Sequence, residues 1–327
     1  MIAVIGGAGY IGSHTVKYLS QQGKDVVVFD NLSTGHREFV PSYIPFVKGD
    51  LANNNDLHHL FATYPDIHTV IHFAAFAYVG ESVQEPAKYY RNNVVNTINL
   101  LDSMLEHNVK NIVFSSTCAT YGNPIEWPIS EEHPQNPINP YGRTKLMMEQ
   151  IMEDYSRAYG LKYVALRYFN AAGADVDCEI GEWHEPETHL IPLILDVAIG
   201  KRESISVFGS DFNTPDGTCI RDYIHVTDLA DAHSRAVDFL LQQSGNLKLN
   251  LGNGEGFSVL DIIHAVEEIT GKIIKKDMVE RREGDPAKLI GSAEKAKQIL
   301  GWQPKFKLDD IIASAWHWHV KNFGGTK

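Results

Sequence analysis

Two side chains four residues apart, Tyr141 and Lys145, are the first candidates for chemistry in this sequence. Residues at positions i and i+4 share one face of a helix, and Pro140 is favourable at a helix start. A phenol is a poor base at neutral pH because its ordinary pKa is about 10. An ammonium group about 6 Å away, at an effective dielectric constant of about 20, would contribute about 3 kcal/mol and lower this pKa to about 8. The pair is therefore typical of a site in which Tyr141 removes a proton from an alcohol.

A third candidate, Thr117, ends the run Phe114-Ser115-Ser116-Thr117, which reads as the end of a buried strand. Ligands of open parallel sheets bind in the crevice beyond the carboxyl ends of the strands. We therefore expect Thr117 to share a substrate hydroxyl with Tyr141 through a hydrogen bond. The alternative for the pair is a surface tyrosine beside a solvated lysine.

The elements that must position these residues follow from the apolar pattern. Continuously apolar runs, typical of a sheet covered on both faces, predict strands at 2–5, 26–29, 44–47, 70–73, 112–115 and 163–167. Apolar residues at three-to-four spacing predict helices at 11–22, 54–64, 86–107 and 141–159. This alternation predicts an α/β protein with a doubly wound parallel sheet and right-handed crossovers, the Rossmann arrangement.

A glycine-rich turn, GGAGYIG at residues 6–12, joins the first strand to the first helix. Glycines there allow a tight turn and let backbone N–H groups approach a pyrophosphate. The second strand ends at Asp30, whose carboxylate can accept hydrogen bonds from ribose hydroxyls and would repel a 2′-phosphate. The combination predicts NAD rather than NADP, although His36 and Arg37 lie close by in sequence.

The ends of the third and fourth strands add Gly49-Asp50-Leu51 and His72-Phe73-Ala74-Ala75. Small residues at the carboxyl ends of strands suit a bound cofactor, and the alternative is tight packing of the strand ends.

Beyond Asn170 the sequence becomes polar over residues 173–188, which indicates a domain boundary or a binding loop. We expect an NAD-binding domain at 1–170 and a smaller α/β substrate domain at 171–327, with some segments returning to the first domain. Strands are predicted there at 204–208 and 247–251, and helices at 190–199, 228–241, 258–270 and 292–300. Cys178, His184 and His189 lack the HxxxH or CxxC spacing of metal ligands, so we expect a solvated loop without a metal site.

Composition excludes several classes of protein. Among the 327 residues, 41 acidic against 29 basic side chains give a net charge of −12, which disfavours binding to nucleic acid. The 3 cysteines are widely spaced and predict neither a disulfide framework nor a zinc ribbon, as in a reducing compartment. No targeting segment or long apolar run is evident, so we expect a cytoplasmic protein that binds no membrane.

The sequence resembles the extended short-chain dehydrogenase/reductase family, and within it the branch that inverts carbon 4 of UDP-hexoses. The resemblance runs nearly from end to end and rests on GGAGYIGSHT, FDNLSTG, HFAAFAYVGESV, YYRNNVVNT, FSSTCATYG, NPYGRTK, LRYFNAAGA, DGTCIRDYIHVTDLADAH and RREGDPAKL, in this order. It implies that Tyr141 is the catalytic acid and base, that Lys145 binds the nicotinamide ribose and that Thr117 contacts the substrate.

The resemblance also implies two sets of binding residues. The NAD contacts would be Gly6, Gly9, Tyr10, Ile11, Gly12, Asp30, Asn31, Asp50, Leu51, Phe73, Ala74, Asn92, Lys145 and Phe169. The UDP-hexose contacts would be Thr117, Asn170, His189, Leu190, Phe208, Arg221, Arg282 and Asp285, with the arginines on the diphosphate and Phe208 near uracil. From the residues alone, Arg221 could instead form a structural salt bridge with Asp222 or Asp228.

Three positions depart from or vary within the family pattern. Ala77 replaces a lysine that touches the cofactor in some members, and His189 replaces an asparagine. Leu289 lies where residue size varies with the hexose accepted, and leucine is intermediate in size. Cys118 and Ala119 stand where related dehydratases carry an Asp-Glu pair, which disfavours elimination of water.

The resemblance therefore implies interconversion of UDP-galactose and UDP-glucose, through hydride transfer at carbon 4 to tightly bound NAD and back. The alternatives are inversion of another UDP-sugar (an N-acetylhexosamine, a glucuronate or a pentose) and a non-catalytic NAD-dependent sensor. The family also implies a homodimer that pairs through the helices at 86–107 and 141–159.

Overall fold

The computed structural model describes residues 1–242, 245–282 and 285–324. Its strands are β1 (Ile2–Ile5), β2 (Val26–Asp30), β3 (Phe46–Lys48), β4 (Thr69–His72), β5 (Asn111–Thr117), β6 (Lys162–Tyr168), β7 (Asn170–Ala172), β8 (Ile205–Phe208), β9 (Ile220–Arg221), β10 (Tyr223–His225), β11 (Leu247–Leu251), β12 (Phe257–Ser258), β13 (Lys276–Val279) and β14 (Lys288–Leu289). Its helices are α1 (Tyr10–Gln21), α2 (Asn54–Thr63), α3 (Val79–Gln84), α4 (Pro86–Tyr89), α5 (Asn96–Glu106), α6 (Pro140–Tyr159), α7 (Leu190–Ala198), α8 (Val226–Gln242), α9 (Val259–Thr270), α10 (Glu294–Leu300) and α11 (Leu308–Phe323).

The central sheet has seven parallel strands in the order β11-β6-β5-β4-β1-β2-β3. Every residue of β1, β2 and β4 is buried, because helices cover both faces of the sheet. The chain proceeds outward from β1 to β3 on one side and from β4 to β6 on the other. This change of direction opens a crevice between β1 and β4. The predicted doubly wound fold is confirmed.

Two apolar layers hold the sheet. On one face α1 and α8 pack against alternate strand residues, and this layer includes Val4, Val16, Leu19, Val28, Leu229 and Ala236. On the other face α2, α5 and α6 pack against the remaining strand residues, and this second layer includes Ile5, Leu57, Leu101, Phe114, Met148 and Met152. The alternation of strand side chains between the two layers explains why apolar residues occupy successive positions in the strands instead of every second position.

A second, smaller core lies in the C-terminal half of the chain. It is built from α7, α9 and α11 around the parallel pair β8-β13, and includes Ile194, Val207, Ile262 and Ile312. Strand β11 leaves this half and pairs with β6 at the end of the main sheet. Among the described residues, no helix is both long and apolar enough to cross a bilayer.

Several elements differ from the sequence prediction. The helix expected at 86–107 contains a π-helical segment, Tyr90–Val95, between α4 and α5. Helices α3 and α11 are absent from the prediction. The strand predicted at 44–47 lies at Phe46–Lys48, because Ile44 belongs to the preceding turn. The loop at 173–188 is not solvated as predicted, since Asp175 and Glu182 are buried within it.

Buried neutral histidines make the stability of this fold sensitive to acid. Burial lowers the pKa of His14, His225 and His233 from 6.5 to about 4. Burial lowers the pKa of His72 from 6.5 to about 3, and the charge of Lys145 adds to the effect. At these four positions the unfolded chain therefore binds more protons than the folded chain at pH values below 6.5. Glu182 and Asp222 act in the opposite direction, because burial raises the pKa of each to about 7.

We expect the contribution of these histidines to the free energy of unfolding to be largest above pH 6.5 and to fall progressively as the pH drops toward 4. Urea unfolding at pH 7.5, 6.0 and 5.0 measures this slope. The change His233→Gln removes one contribution and flattens the curve, whereas His264→Gln at an exposed histidine keeps the original slope. An identical pH dependence in His233→Gln and in the wild type would contradict the prediction.

Candidate active site

The predicted cofactor residues gather at one edge of the main sheet. Gly6, Gly49 and Phe73 directly follow β1, β3 and β4, while Asp30 and Thr117 are the last residues of β2 and β5. Because all seven strands are parallel, these carboxyl ends meet at the same edge. The structure therefore brings together the loops that the sequence predicted to form the crevice.

The glycine turn packs so closely against its own chain that side chains at two of its positions would collide with backbone atoms. Gly6 has φ +81°, and a Cβ atom there would lie 2.7 Å from the backbone nitrogen of Ala74. A Cβ atom on Gly12 would lie 2.2 Å from the carbonyl oxygen of Gly6. Gly9 caps the N-terminus of α1 without any side chain that could occupy the space above it. Unsatisfied N–H groups at such a helix start attract a pyrophosphate, so the turn fits a dinucleotide.

Asp30 is held rigidly beside this turn. Its Oδ2 accepts a hydrogen bond from the N–H of Ala8 at 2.9 Å, and its Oδ1 accepts one from the N–H of Leu32 at 2.8 Å. Burial raises the pKa of this carboxyl, and the two backbone donors partly offset the effect. A carboxylate has about four lone-pair sites, so acceptor capacity remains for ribose hydroxyls. The side chain of Asn31 donates to Asp50 at 3.0 Å, which joins the ends of β2 and β3.

The other predicted cofactor residues surround the crevice. Tyr10 is buried and its hydroxyl donates to the carbonyl oxygen of Gly173 at 2.6 Å. Asn92 lies in the π-helical segment, a feature that is frequent at functional sites. Ile11, Leu51 and Phe169 supply apolar contacts, with Leu51 and Phe169 buried and Ile11 partly buried.

Helix α6 carries the predicted catalytic pair. Asn139 caps its N-terminus, because Oδ1 accepts from the N–H of Gly142 at 2.8 Å, and Pro140 is its first residue. Tyr141 is half-buried in the first turn. Lys145 is buried one turn later, where its Nζ donates to the carbonyl oxygen of Ser115 at 2.9 Å. The predicted i and i+4 arrangement is thus present, and it ties the lysine to the end of β5.

The predicted lowering of the Tyr141 pKa is wrong for the polypeptide alone. Burial raises the pKa of the phenol well above its ordinary value, and Tyr168 adds to this effect. A hydrogen bond with Thr117 acts in the opposite direction. Burial also lowers the pKa of Lys145 to about 7, against the charge of Glu149. The sequence estimate included the attraction between the two charges but not the loss of water around them.

A buried ion pair fixes α6 against the sheet. Arg167 in β6 makes two hydrogen bonds to the carboxylate of Glu149 in α6, at 2.6 and 3.0 Å. The same carboxylate accepts from the hydroxyl of Ser116 at 2.6 Å. Arg167 also donates to the Tyr121 hydroxyl at 2.9 Å. Sequence reasoning missed this network, because no periodic pattern marks an inward-facing charge.

The predicted diphosphate residues lie in the C-terminal half. Arg221 in β9 donates to the carboxylate of Asp285 and to the carbonyl oxygen of Pro286, the latter at 2.9 Å. The guanidinium of Arg282 lies over the ring of Phe208, 3.9 Å from its centre. Two pairs of the predicted substrate residues are therefore in contact, Arg221 with Asp285 and Arg282 with Phe208.

The alternative partners considered for Arg221 are engaged elsewhere. Asp222 accepts from the backbone N–H groups of Asn253 and Gly254, and Asp228 accepts from those of Lys305 and Phe306. Asn170 donates to the carbonyl oxygen of Asp222 at 3.0 Å. Leu289 pairs in register with Arg221 and packs on a small cluster that contains Phe169.

His189 lies at the N-terminus of α7, directly before Leu190, and contacts two carboxylates. Its Nδ1 is 2.8 Å from Glu187 Oε1 and 3.0 Å from Glu182 Oε1. Burial lowers the pKa of His189, but Glu182 and Glu187 more than compensate and raise it to about 9. His184 approaches the same carboxylates. Sequence reasoning singled out the two histidines but missed the glutamates, because the loop folds back on itself; Cys178 lies outside this group.

Comparison with known proteins agrees with this geometry. Residues 2–252 match the model of the NAD dependent epimerase/dehydratase family. The chain is 54% identical to a UDP-glucose 4-epimerase of Halalkalibacterium halodurans over 98% of its own length and 96% of the relative's. It is similar to the crystal structure of UDP-glucose 4-epimerase from Brucella ovis in complex with NAD, with TM-score 0.95, 52% identity and coverage of 99% and 98% of the two chains. The corresponding structure from Bifidobacterium longum, in complex with NAD+ and UDP, has TM-score 0.95, 40% identity and 99% coverage of both chains.

The glycine turn provides a test of the cofactor site. We expect Gly12→Ala to lose bound NAD and to unfold at a lower temperature, because the added methyl group collides with the Gly6 carbonyl. Gly80→Ala is the matched control, since a Cβ atom at Gly80 meets nothing within 4 Å. Chromatographic quantification of NAD released from the purified variants measures the effect. Full NAD content in Gly12→Ala would show that the turn does not contact the cofactor.

Proposed function

The chain belongs to the NAD dependent epimerase/dehydratase family, and from this premise we propose that it interconverts UDP-galactose and UDP-glucose by inverting carbon 4 of the hexose. The observation that carries the proposal is the convergence of Thr117, Tyr141 and Lys145 at the crevice that the glycine turn borders. The similarity to UDP-glucose 4-epimerases over nearly the full chain supports it.

The residues around the crevice fit NAD. The glycine turn would hold the pyrophosphate, Asp30 the adenosine ribose, and Lys145 the nicotinamide ribose. Bound NAD would supply the acceptor for the carbon 4 hydride and return this hydride to the same carbon. The chain's own residues supply the proton chemistry and hold the substrate.

Tyr141 is the acid and base in this proposal. Its Oη takes the proton of the carbon 4 hydroxyl while that carbon loses hydride, and the 4-keto sugar results. In the reverse step the same Oη returns the proton to the keto oxygen. Because burial raises its pKa, Tyr141 keeps its proton in the polypeptide alone, so the base form requires a nearby positive charge. Lys145 can provide this charge when it is protonated.

Inversion requires the sugar to turn while the nucleotide stays bound. Arg221 and Arg282 are suited to the diphosphate, since guanidinium groups bind such oxygens with paired hydrogen bonds. Other residues would hold the rest of the UDP moiety, namely Asn170, His189, Leu190 and Phe208, with Asp285 orienting Arg221. Firm nucleotide contacts and few hexose contacts let the 4-keto sugar present its opposite face.

The residues after Thr117 oppose a dehydratase reaction. Cys118 and Ala119 form a short 3-10 turn there, and burial raises the pKa of the Cys118 thiol to about 12. Neither side chain can act as the second acid and base that elimination of water requires.

The structure also supports proposals on assembly and location. Exposed apolar side chains on the helical region 86–106 and on α6, namely Val95, Met147 and Tyr159, favour a homodimer that pairs through these helices. The cysteines Cys118, Cys178 and Cys219 form no disulfide, which favours the cytoplasm. We further propose that the chain divides into an NAD-binding domain (1–170) and a substrate domain (171–327). Strand β11 comes from the second range in sequence but belongs to the sheet of the first domain.

An NMR time course with UDP-galactose and the purified protein tests the function. We expect UDP-glucose to accumulate to a constant ratio without added nucleotide. Tyr141→Phe should lower the rate by a factor of about 10²–10⁴, the usual contribution of a general base, while NAD stays bound. Tyr155→Phe is the control, because Tyr155 lies on the same helix but its hydroxyl donates a hydrogen bond to Asp102. This variant should keep the original rate. If the protein converts only another UDP-sugar, the proposed substrate is wrong but the proposed mechanism stands. If it converts none of the UDP-sugars tested, the result favours a non-catalytic NAD-dependent sensor.

Sedimentation equilibrium tests the dimer. We expect a mass of twice 36.6 kDa at micromolar concentration. Met147→Asp should shift the protein toward the monomer, because a buried unpaired charge destabilises an interface. Leu241→Asp replaces an equally exposed apolar residue on α8 and should leave the mass unchanged. A monomeric wild-type protein would overturn the proposal.

A further inference from the structure

Four potential metal ligands converge in the loop that precedes α7. Glu182, His184, Glu187 and His189 each present one ligand atom, and these atoms all lie within 4.8 Å of one another. None of the four belongs to the proton chemistry of the proposed reaction, in which His189 would only contact the UDP moiety. The sequence spacing predicted no metal site here, since it shows neither HxxxH nor CxxC.

Two distances within this group are close to the edges of a coordination shell, and the two that involve His189 are shorter. His189 Nδ1 lies 2.8 Å from Glu187 Oε1 and 3.0 Å from Glu182 Oε1. His184 Nδ1 lies 3.5 Å from Glu187 Oε2 and 3.6 Å from Glu182 Oε1. Four ligands placed about 2.1 Å from a tetrahedral zinc ion are separated by about 3.4 Å. A small movement of each side chain would therefore admit the ion.

One ligand atom also lacks a partner. His184 Nδ1 is buried and makes no hydrogen bond to any part of the chain that the structure describes. A buried polar atom without a partner is destabilising, and it is uncommon in folded proteins. Coordination of a cation by this lone pair would remove the penalty.

The charge of this group and the adjoining cavity also favour a bound cation. Without an ion His189 is protonated, because the two carboxylates raise its pKa to about 9. Metal binding would release this proton, and the two carboxylates and two neutral imidazoles that result carry a formal charge of −2, which one divalent ion neutralises. A cavity of about 60 Å³ adjoins the group and is lined by Glu182, His184 and Glu187, among others. One water needs about 10–15 Å³ of such volume, so an ion and additional waters can be accommodated.

We propose that Glu182, His184, Glu187 and His189 form a binding site for a divalent transition-metal ion. Two imidazole nitrogens and two carboxylate oxygens suit zinc and its neighbours better than magnesium or calcium, which prefer oxygen ligands only. The ion would tie the loop to the start of α7 and hold Leu190 in place. Its role is structural, and the proposal does not depend on the proposed reaction.

Zinc titration of the NAD-bound protein, after chelator treatment and dialysis, tests the site. We expect calorimetry to show one ion per chain, and elemental analysis after gel filtration to recover it. His184→Gln and Glu182→Gln should each weaken binding by at least tenfold. His264→Gln is the matched control, because His264 also faces a glutamate, Glu268 at 3.3 Å, but lies exposed on α9.

Cobalt provides a measurement that does not rely on the variants. Co²⁺ bound to the wild-type protein should show the intense visible absorption of a four-coordinate site, and zinc should displace it. Circular dichroism and retained NAD establish that each variant is folded. Absence of stoichiometric zinc and cobalt binding to the wild-type protein would overturn the proposal. Equal affinity in folded His184→Gln and in the wild type would overturn it as well.

Discussion

The buried ion pair between Glu149 and Arg167 is the interaction on which the geometry of the active site depends. The ion pair joins α6 to β6, and a hydrogen bond from Ser116 to the same carboxylate joins α6 to β5. Together these contacts fix the rotation of the helix about its axis relative to the sheet. Loss of one partner from such a pair typically costs about 3–5 kcal/mol, because the other charge stays buried without compensation. The rotation of α6 in turn directs Tyr141 and Lys145 toward the crevice.

Burial explains both the precision and the electrostatics of the site. Lys145 has exchanged water for one carbonyl oxygen and the face of Phe114, so its ammonium form is disfavoured. Tyr141 is subject to the same loss of water, which favours the neutral phenol. In the polypeptide alone Tyr141 is thus neutral, and Lys145 is only partly protonated near neutral pH. Proton transfer then depends on which charged molecules enter the crevice, and this couples the chemistry to binding.

The sequence was sufficient to predict the main sheet because its strands contain continuous apolar runs and because helices follow β1, β3, β4 and β5. It was equally sufficient for the glycine turn, Asp30 and the Tyr141–Lys145 pair, since each is local in sequence. It did not reveal the pKa of Tyr141, which depends on burial by distant residues. The meeting of Glu182 with His189 and of Arg221 with Asp285 depends on loop paths that no periodicity encodes. Helix α11 was missed although its side chains are essential to the second core.

The position of β11 has a consequence for the synthesis of this protein. The strand is encoded some 80 residues after β6 but pairs with it at the end of the main sheet. While the chain emerges from the ribosome, one edge of β6 therefore stays unpaired. Its backbone hydrogen-bonding groups find their partners only when residues 247–251 have been synthesised. An open strand edge is a template for association with other chains, so the nascent protein is most exposed to aggregation during this interval.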